Sequence, residues 1–127
     1  MGKKKAPDWT GMKGVGVGQC RWRLGSSGIE FCEQELALRR DNVLLAAEPK
    51  SLYVLTALLR HPQTLVLKKD LARWIWHGRP NTDAVVAKAV TKLRTALGDS
   101  DQALIVTAHG RGYVLAVTPE CIAANPE

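Results

Sequence analysis

The sequence predicts an α+β fold in which a small N-terminal antiparallel sheet precedes three helices and a β-hairpin follows them. Three observations support this order. Short runs of alternating apolar residues fill 20–47, and three segments with the apolar spacing of amphipathic helices fill 49–97. Two β-prone runs then flank a short glycine-bearing loop within 104–117.

The chain has 127 residues, which suffice for one domain with a modest core. We assign this domain to residues 20–117. Residues 1–19 combine a lysine run with several glycines and lack apolar periodicity, so they are expected to form a flexible, basic tail. Residues 118–127 are expected to form a C-terminal linker or tail.

The segment before the helices is predicted to form short strands. The runs WRL and IEFC carry apolar residues at alternate positions, and GSSG between them is a turn. The run ELALRRDNVLLA at 35–46 places two apolar stretches around Arg40, Asp41 and Asn42, which is typical of a hairpin. Strands this short, in series, indicate a small antiparallel sheet.

The first two helices have clear limits in the sequence. The first begins at Pro49, because proline is favoured at the first helical position, and ends before His61 and Pro62. The second covers about Lys68 to Trp76. Each has leucines or aromatic residues on one face, which predicts that this face packs in the core: Leu52, Leu55, Leu58 and Leu59 in the first, and Leu71, Trp74 and Ile75 in the second.

The third helix has signals at both ends. Thr82 is a suitable N-cap, the helix ends at Leu97, and Gly98 occupies the position just after it. At about 100° per residue, one apolar stripe faces the core. Its members are Val86, Val90, Leu93 and Leu97.

The opposite face of the third helix is basic and otherwise small. Lys88, Thr91, Lys92 and Thr95 cluster there, and Arg94 lies on its flank. A solvent-exposed helix normally mixes charges, yet no acidic residue lies between positions 84 and 97. An ordinary solvated face remains the alternative, but the composition favours an approach to a B-DNA major groove, where lysine and threonine can donate to bases or phosphates.

The stretch TAHGRGYVL at 107–115 predicts a hairpin that carries Arg111 at its tip. A phosphate cradle of an enzyme is the alternative for a glycine-flanked arginine. Such a cradle needs a helix just after the glycines, and Tyr113–Val117 has the composition of a strand instead. The hairpin is therefore the better prediction.

Charge is unevenly distributed along the chain. The net charge is +6. The stretch 30–48 has five acidic and two basic residues, whereas 60–94 has eight basic and two acidic residues. Separated charge of this kind indicates a binding face, and its sign favours an anionic partner, most simply nucleic acid.

The sequence offers no combination of residues that an enzyme or a metal site would need. Its three histidines are isolated, no paired carboxylates accompany a pocket, and Asp99 and Asp101 are expected to be turn residues. The three cysteines are odd in number and lack a CxxC pair, which fits a reducing cytosol. We therefore expect a cytoplasmic protein with no catalytic activity, cofactor, metal or small-molecule substrate.

Three segments in this order also resemble a known family, the OmpR/PhoB-type winged-helix DNA-binding domains. The segment 49–76 resembles their first two helices, AVTKLRTALGD resembles their recognition helix, and LIVTAHGRGYVL resembles their C-terminal hairpin with its Gly-x-Gly-Tyr tip. The similarity covers about Arg21 to Val117. The LGD and the short loop before the third helix resemble the ToxR/CadC branch, whose members often are not phosphorylated. A phosphorelay is therefore not required.

The resemblance implies that the third helix lies in the major groove and that the hairpin, or wing, reaches the minor groove or backbone. By position, Lys88 and Lys92 are the main candidates for base or phosphate contacts. The other implied contacts are Thr91, Arg94 and Thr95 in the helix, and Thr107, His109 and Arg111 in the wing. His109 and Val114 stand where many members have basic residues, so Arg111 carries more of the wing's charge here.

The resemblance also implies partners. We expect sequence-specific binding to promoter DNA by a bacterial transcription regulator, which could be part of a longer, membrane-tethered protein, and weak dimerisation on tandem half-sites. In some members, the loop after the second helix contacts RNA polymerase, which makes His77, Gly78 and Arg79 a candidate contact. The alternative is a winged-helix protein-interaction module, and the basic third helix argues against it.

Overall fold

The computed structural model describes residues 7–9, 20–25 and 27–124, and its elements confirm the predicted α+β order. Two antiparallel sheets flank three helices. The strands before the helices are β1 (Cys20–Leu24), β2 (Ile29–Cys32), β3 (Ala37–Arg40) and β4 (Val43–Leu45). The remaining elements are α1 (Pro49–Leu59), β5 (Leu65–Leu67), α2 (Lys68–Ile75), α3 (Asp83–Leu97), β6 (Ile105–Ala108), β7 (Gly112–Leu115) and β8 (Pro119–Ala124).

The first sheet has five strands in the order β4-β3-β2-β1-β8. The predicted hairpin between β3 and β4 turns at Asp41 and Asn42, whose φ angles are 51° and 70°. Two consecutive positive φ angles are typical of the turn that suits the twist of antiparallel strands, and Asp and Asn tolerate that conformation.

Strand β8 corrects the expected C-terminal linker at 118–127. Residues Pro119–Ala124 pair antiparallel with β1, with a register shift between Arg21 and Trp22. The partner strand lies about a hundred residues away in the chain, so no local pattern announces it. The domain's sheet thus extends past the predicted boundary at residue 117.

The helices form the core with the inner faces of both sheets. As predicted, α1 begins at Pro49, and α3 ends at Leu97 and is followed by Gly98, whose φ is 69°. Thr82 precedes α3 as expected, but its hydroxyl makes no cap hydrogen bond. The side chains with no exposed surface include members of every layer: Leu24, Ile29, Phe31, Leu38, Leu55, Leu58, Leu71, Ile75, Val86, Leu93, Leu97, Ile105 and Leu115.

The second sheet, with the order β5-β7-β6, contains the predicted hairpin as β6 and β7. The sequence did not reveal β5, a three-residue strand between α1 and α2 that pairs with β7. This pairing holds the hairpin against the start of α2, because the Lys68 amide also donates to the Arg111 carbonyl at 3.1 Å.

A short part of the predicted N-terminal tail is packed on the domain. The Trp9 ring lies 6.4 Å from the rings of both Tyr53 and Trp74, and the Asp8 amide donates to the Trp74 carbonyl. Aromatic pairs at this separation are favourable, which gives Trp9 a packing role. The rest of the predicted flexible tail, at 1–6 and 10–19, lies outside the described residues.

Candidate nucleic-acid interface

Helix α3 presents the face that its periodicity predicts. Val86, Val90, Leu93 and Leu97 are buried, so only the other sides of the helix are available to contact a partner. The outward side chains are exposed, and apart from Asp83 at the first turn none is acidic. The exposed residues are Ala84, Val85, Ala87, Lys88, Thr91, Lys92 and Thr95.

Two of the predicted contact residues on this face have partners within the protein. Lys92 Nζ lies 2.9 Å from Oε2 of Glu48, which immediately precedes α1. The Thr95 hydroxyl donates to the Thr91 carbonyl at 3.1 Å. Both side-chain groups remain exposed, so these contacts orient them without removing them from the surface.

Arg94 differs from its neighbours, because its guanidinium is half-buried against the wing. Its Nη2 donates to the Ile105 carbonyl and to the Thr107 hydroxyl, both at 2.7 Å. Its Cζ lies 5.9 Å from the centre of the Tyr113 ring, a cation–π distance. Arg94 therefore joins α3 to the wing, and its predicted contact with DNA stays a prediction.

The wing tip is exposed and compact. His109 and Arg111 both point into solvent on either side of Gly110, whose φ of 73° permits the tight reversal. Thr107 lies lower on the hairpin and is half-buried, since it accepts the hydrogen bond from Arg94. The structure thus brings Arg111 and His109 together at the tip and places Thr107 between the tip and α3.

Two lysines that the sequence analysis did not single out lie beside the wing. Lys68 and Lys69 begin α2, and a shallow groove brings them next to Gly110 and Arg111. Lys68 also pairs with Asp83 at 3.6 Å. The start of α2 carries the positive end of the helix dipole, and Leu67 at its N-cap leaves the backbone amides without a side-chain cap. This corner therefore brings together the basic side chains of Lys68, Lys69 and Arg111, with the carboxylate of Asp83 beside them.

The candidate polymerase loop is exposed and well defined. His77, Gly78 and Arg79 all lie on the surface after α2, and the φ angles of His77 and Gly78 are 57° and 72°. The Gly78 amide donates to the Ala72 carbonyl, which closes the end of α2. The loop is thus held to the end of α2.

The exit of α3 is fixed by a buried aspartate. Asp99 accepts hydrogen bonds from the backbone amides of Ala103, Leu104 and Ile105 at 2.8–3.0 Å. Asp99 is thus the turn residue that the sequence predicts. The loop between α3 and β6 is therefore rigid, and it fixes where the wing begins.

The described part of the chain contains no group of three or more histidine, cysteine or acidic residues arranged to hold a metal ion. Burial raises the pKa of the Cys20 thiol, which keeps this group neutral. None of the helices in the described ranges combines the length and apolar composition that a membrane crossing needs.

A five-stranded sheet, three helices and a hairpin beside the third helix define a winged-helix domain. A family model described as transcriptional regulatory protein, C terminal, matches residues 42–115. This match covers more than half of the chain, so the protein belongs to that family of transcription regulators, as its resemblance to OmpR/PhoB-type domains implied. The family is not a class of enzymes.

Solved structures agree on the fold. The DNA-binding domain of Escherichia coli CadC is 24% identical, and the match covers 81% of this chain and 97% of that chain with a TM-score of 0.69. The DNA-binding domain of Klebsiella pneumoniae RstA, solved in complex with the RstA box, is 18% identical over 76% and 96% of the two chains, with a TM-score of 0.66. A comparison with curated protein sequences finds no match.

Proposed function

We propose that this domain binds duplex DNA sequence-specifically, with α3 in the major groove and the wing at the adjacent minor groove or backbone. The observation that carries the proposal is the outward face of α3, which combines lysines and threonines with small side chains and lies beside the basic wing tip. The RstA domain, which has the same fold, is bound to its DNA box. In this proposal, the protein is a transcription regulator that binds promoter DNA in the bacterial cytoplasm.

The geometry divides the contacts into two groups. Lys88, Thr91, Lys92 and Thr95 point away from the core on a helix whose width suits the major groove, so they are placed to contact base edges. Arg111, with Lys68 and Lys69 beside it, forms a second basic cluster suited to the sugar-phosphate backbone. Arg94 fixes the distance between the two groups through Thr107 and Ile105.

The first prediction concerns salt. Binding to a duplex selected from a random library should weaken steeply as salt rises, because each neutralised phosphate releases counterions. If Lys68, Lys69 and Arg111 each neutralise one phosphate, the slope of log K against log salt should be about −2.7. Fluorescence anisotropy with a labelled duplex would measure it. Absence of binding even at low salt would contradict the proposal and favour a protein-interaction module.

Variants in α3 and in the wing should change DNA binding in different ways. Lys92→Ala should lower the preference for the selected sequence over a scrambled one, by roughly 1–3 kcal/mol if the contact is bidentate. Arg111→Ala should instead weaken binding to both duplexes about equally and reduce the salt slope by about 1. Competition titrations with the two duplexes would distinguish these patterns. Equal effects of both variants on both duplexes would argue against this division.

We also propose that the loop of His77, Gly78 and Arg79 contacts RNA polymerase. Its exposure and its attachment to the end of α2 through the Gly78 amide support this role. A charge change at Arg79 should then reduce transcription from the target promoter without changing DNA affinity.

Weak dimerisation on tandem half-sites remains part of the same proposal, and the half-site spacing in selected sequences tests it.

A further inference from the structure

The ion pair between Glu48 and Lys92 places a carboxylate on the otherwise basic face that is proposed to meet DNA. The two atoms Oε2 and Nζ are 2.9 Å apart, and the side chains are 62% and 46% exposed. The residues are 44 positions apart in the chain, so the fold brings them together. An exposed ion pair of this kind contributes little to stability, which leaves a role in recognition open.

The helix dipole favours a carboxylate at the start of α1, but this does not require the contact between Glu48 and Lys92. Glu48 is the N-cap residue of α1, yet its side chain makes no cap hydrogen bond. Pro49 at the first position sets the helix start without help from the carboxylate. A shallow surface groove beside the pair gives a base edge access to both charged groups. Its other lining residues are small: Ala46, Ala47, Thr91 and Thr95.

We propose that Glu48 and Lys92 act as one unit that recognises a single base pair by the direction of its donor and acceptor. This inference rests on the proposed DNA binding. In a G·C pair, guanine O6 accepts and the neighbouring cytosine N4 donates. These two atoms are joined by a hydrogen bond of ordinary length, about 2.9 Å. A lysine ammonium and a carboxylate that are themselves 2.9 Å apart can therefore meet both atoms without separating.

The same chemistry predicts an order of preference at this position. G·C should be preferred, because Lys92 can also donate to guanine N7, which lies next to O6. T·A should follow, since thymine O4 accepts and adenine N6 donates in the same direction, but a methyl group takes the place next to O4. The reversed pairs, C·G and A·T, should be worst, because they set Lys92 against a donor and Glu48 against an acceptor.

The test is a complete set of base substitutions at every position of the selected duplex, measured for the wild type and for Glu48→Gln. We expect one position at which the wild type disfavours the reversed pairs by about tenfold or more. In Glu48→Gln this penalty should become smaller, because an amide both donates and accepts, so only Lys92 still opposes the reversed pairs. Lys92→Ala should reduce discrimination at the same position and at no other, because only Glu48 still opposes the reversed pairs.

The control is Glu35→Gln, which removes the same charge from a carboxylate that is paired with Arg39 on the first sheet. It should keep the wild-type profile. The proposal is overturned if Glu48→Gln keeps the wild-type profile, or if it strengthens binding equally to every sequence, which would make Glu48 a long-range charge only. A wild type that binds no duplex overturns the proposed function itself. Circular dichroism should show the same helix content for each variant.

Discussion

Replacing Gly112 with alanine is expected to destabilise the domain by about 3 kcal/mol, the upper end of the range for overpacking. Gly112 is buried at the start of β7, where β5 and β6 pair on either side of it. An added Cβ would overlap the Val66 carbonyl oxygen and lie 2.9 Å from Leu67 Cα. Both are backbone atoms, so β5 has to move away and its pairing with β7 weakens.

DNA affinity should fall in the same variant even where it remains folded, because β5 holds the wing against the start of α2. The measurements are urea unfolding and anisotropy at a temperature where the variant is native. Gly110→Ala is the matched control. Nothing lies within 4 Å of its added Cβ, so only the positive φ opposes the change, at a cost of about 1–2 kcal/mol. Equal losses in the two variants would contradict the argument from packing.

The two glycines of the Gly-x-Gly-Tyr pattern are needed for different reasons. From the sequence, both glycines indicated a tight reversal, and for Gly110 the φ of 73° confirms this. Gly112 has a different reason to be glycine, a close approach of β5. That strand has only three residues, and its partner in the ladder lies almost fifty positions away. A pattern without information on distant neighbours cannot reveal it.

Local chemistry accounts for the parts of the fold that were predicted correctly. Pro49 and Gly98 mark helix ends because their backbone preferences act within one turn, and the stripe on α3 follows from helical periodicity alone. Strand β8 could not be predicted in the same way. Its residues PECIAA lack clear alternation, and they form a strand because the edge of β1 is available to them.

The candidate interface shows the same division. Exposure of Lys88, Thr91 and Lys92 follows from their angle to the apolar stripe, so the sequence was sufficient. The partners of Lys92 and Arg94 were not predictable, because Glu48 and Ile105 belong to other elements. A lysine and an arginine two positions apart on one helix thus have different partners, and only the structure shows what each of them contacts.

The second large effect is expected from Glu33→Gln, which should lower the free energy of unfolding by about 3–5 kcal/mol. The Glu33 carboxylate is 1% exposed and lies 2.7 Å from Nη2 of Arg60, which is 4% exposed. It also accepts from the Trp22 indole at 2.8 Å and from the Cys20 amide at 3.1 Å. Loss of the charge leaves the buried guanidinium without its counter-ion, which costs far more than an exposed pair contributes.

Glu35→Gln serves as the control here as well, because its partner Arg39 lies on the surface and its loss should cost less than about 1 kcal/mol. Urea unfolding of both variants gives the comparison, and equal stability of the two would contradict the buried-charge argument.

Arg60 follows α1, whereas Cys20 and Trp22 belong to β1. Glu33 thus joins the first sheet to the helices, so its loss should loosen that sheet first, and hydrogen exchange should be faster in β1 and β2 than in α3.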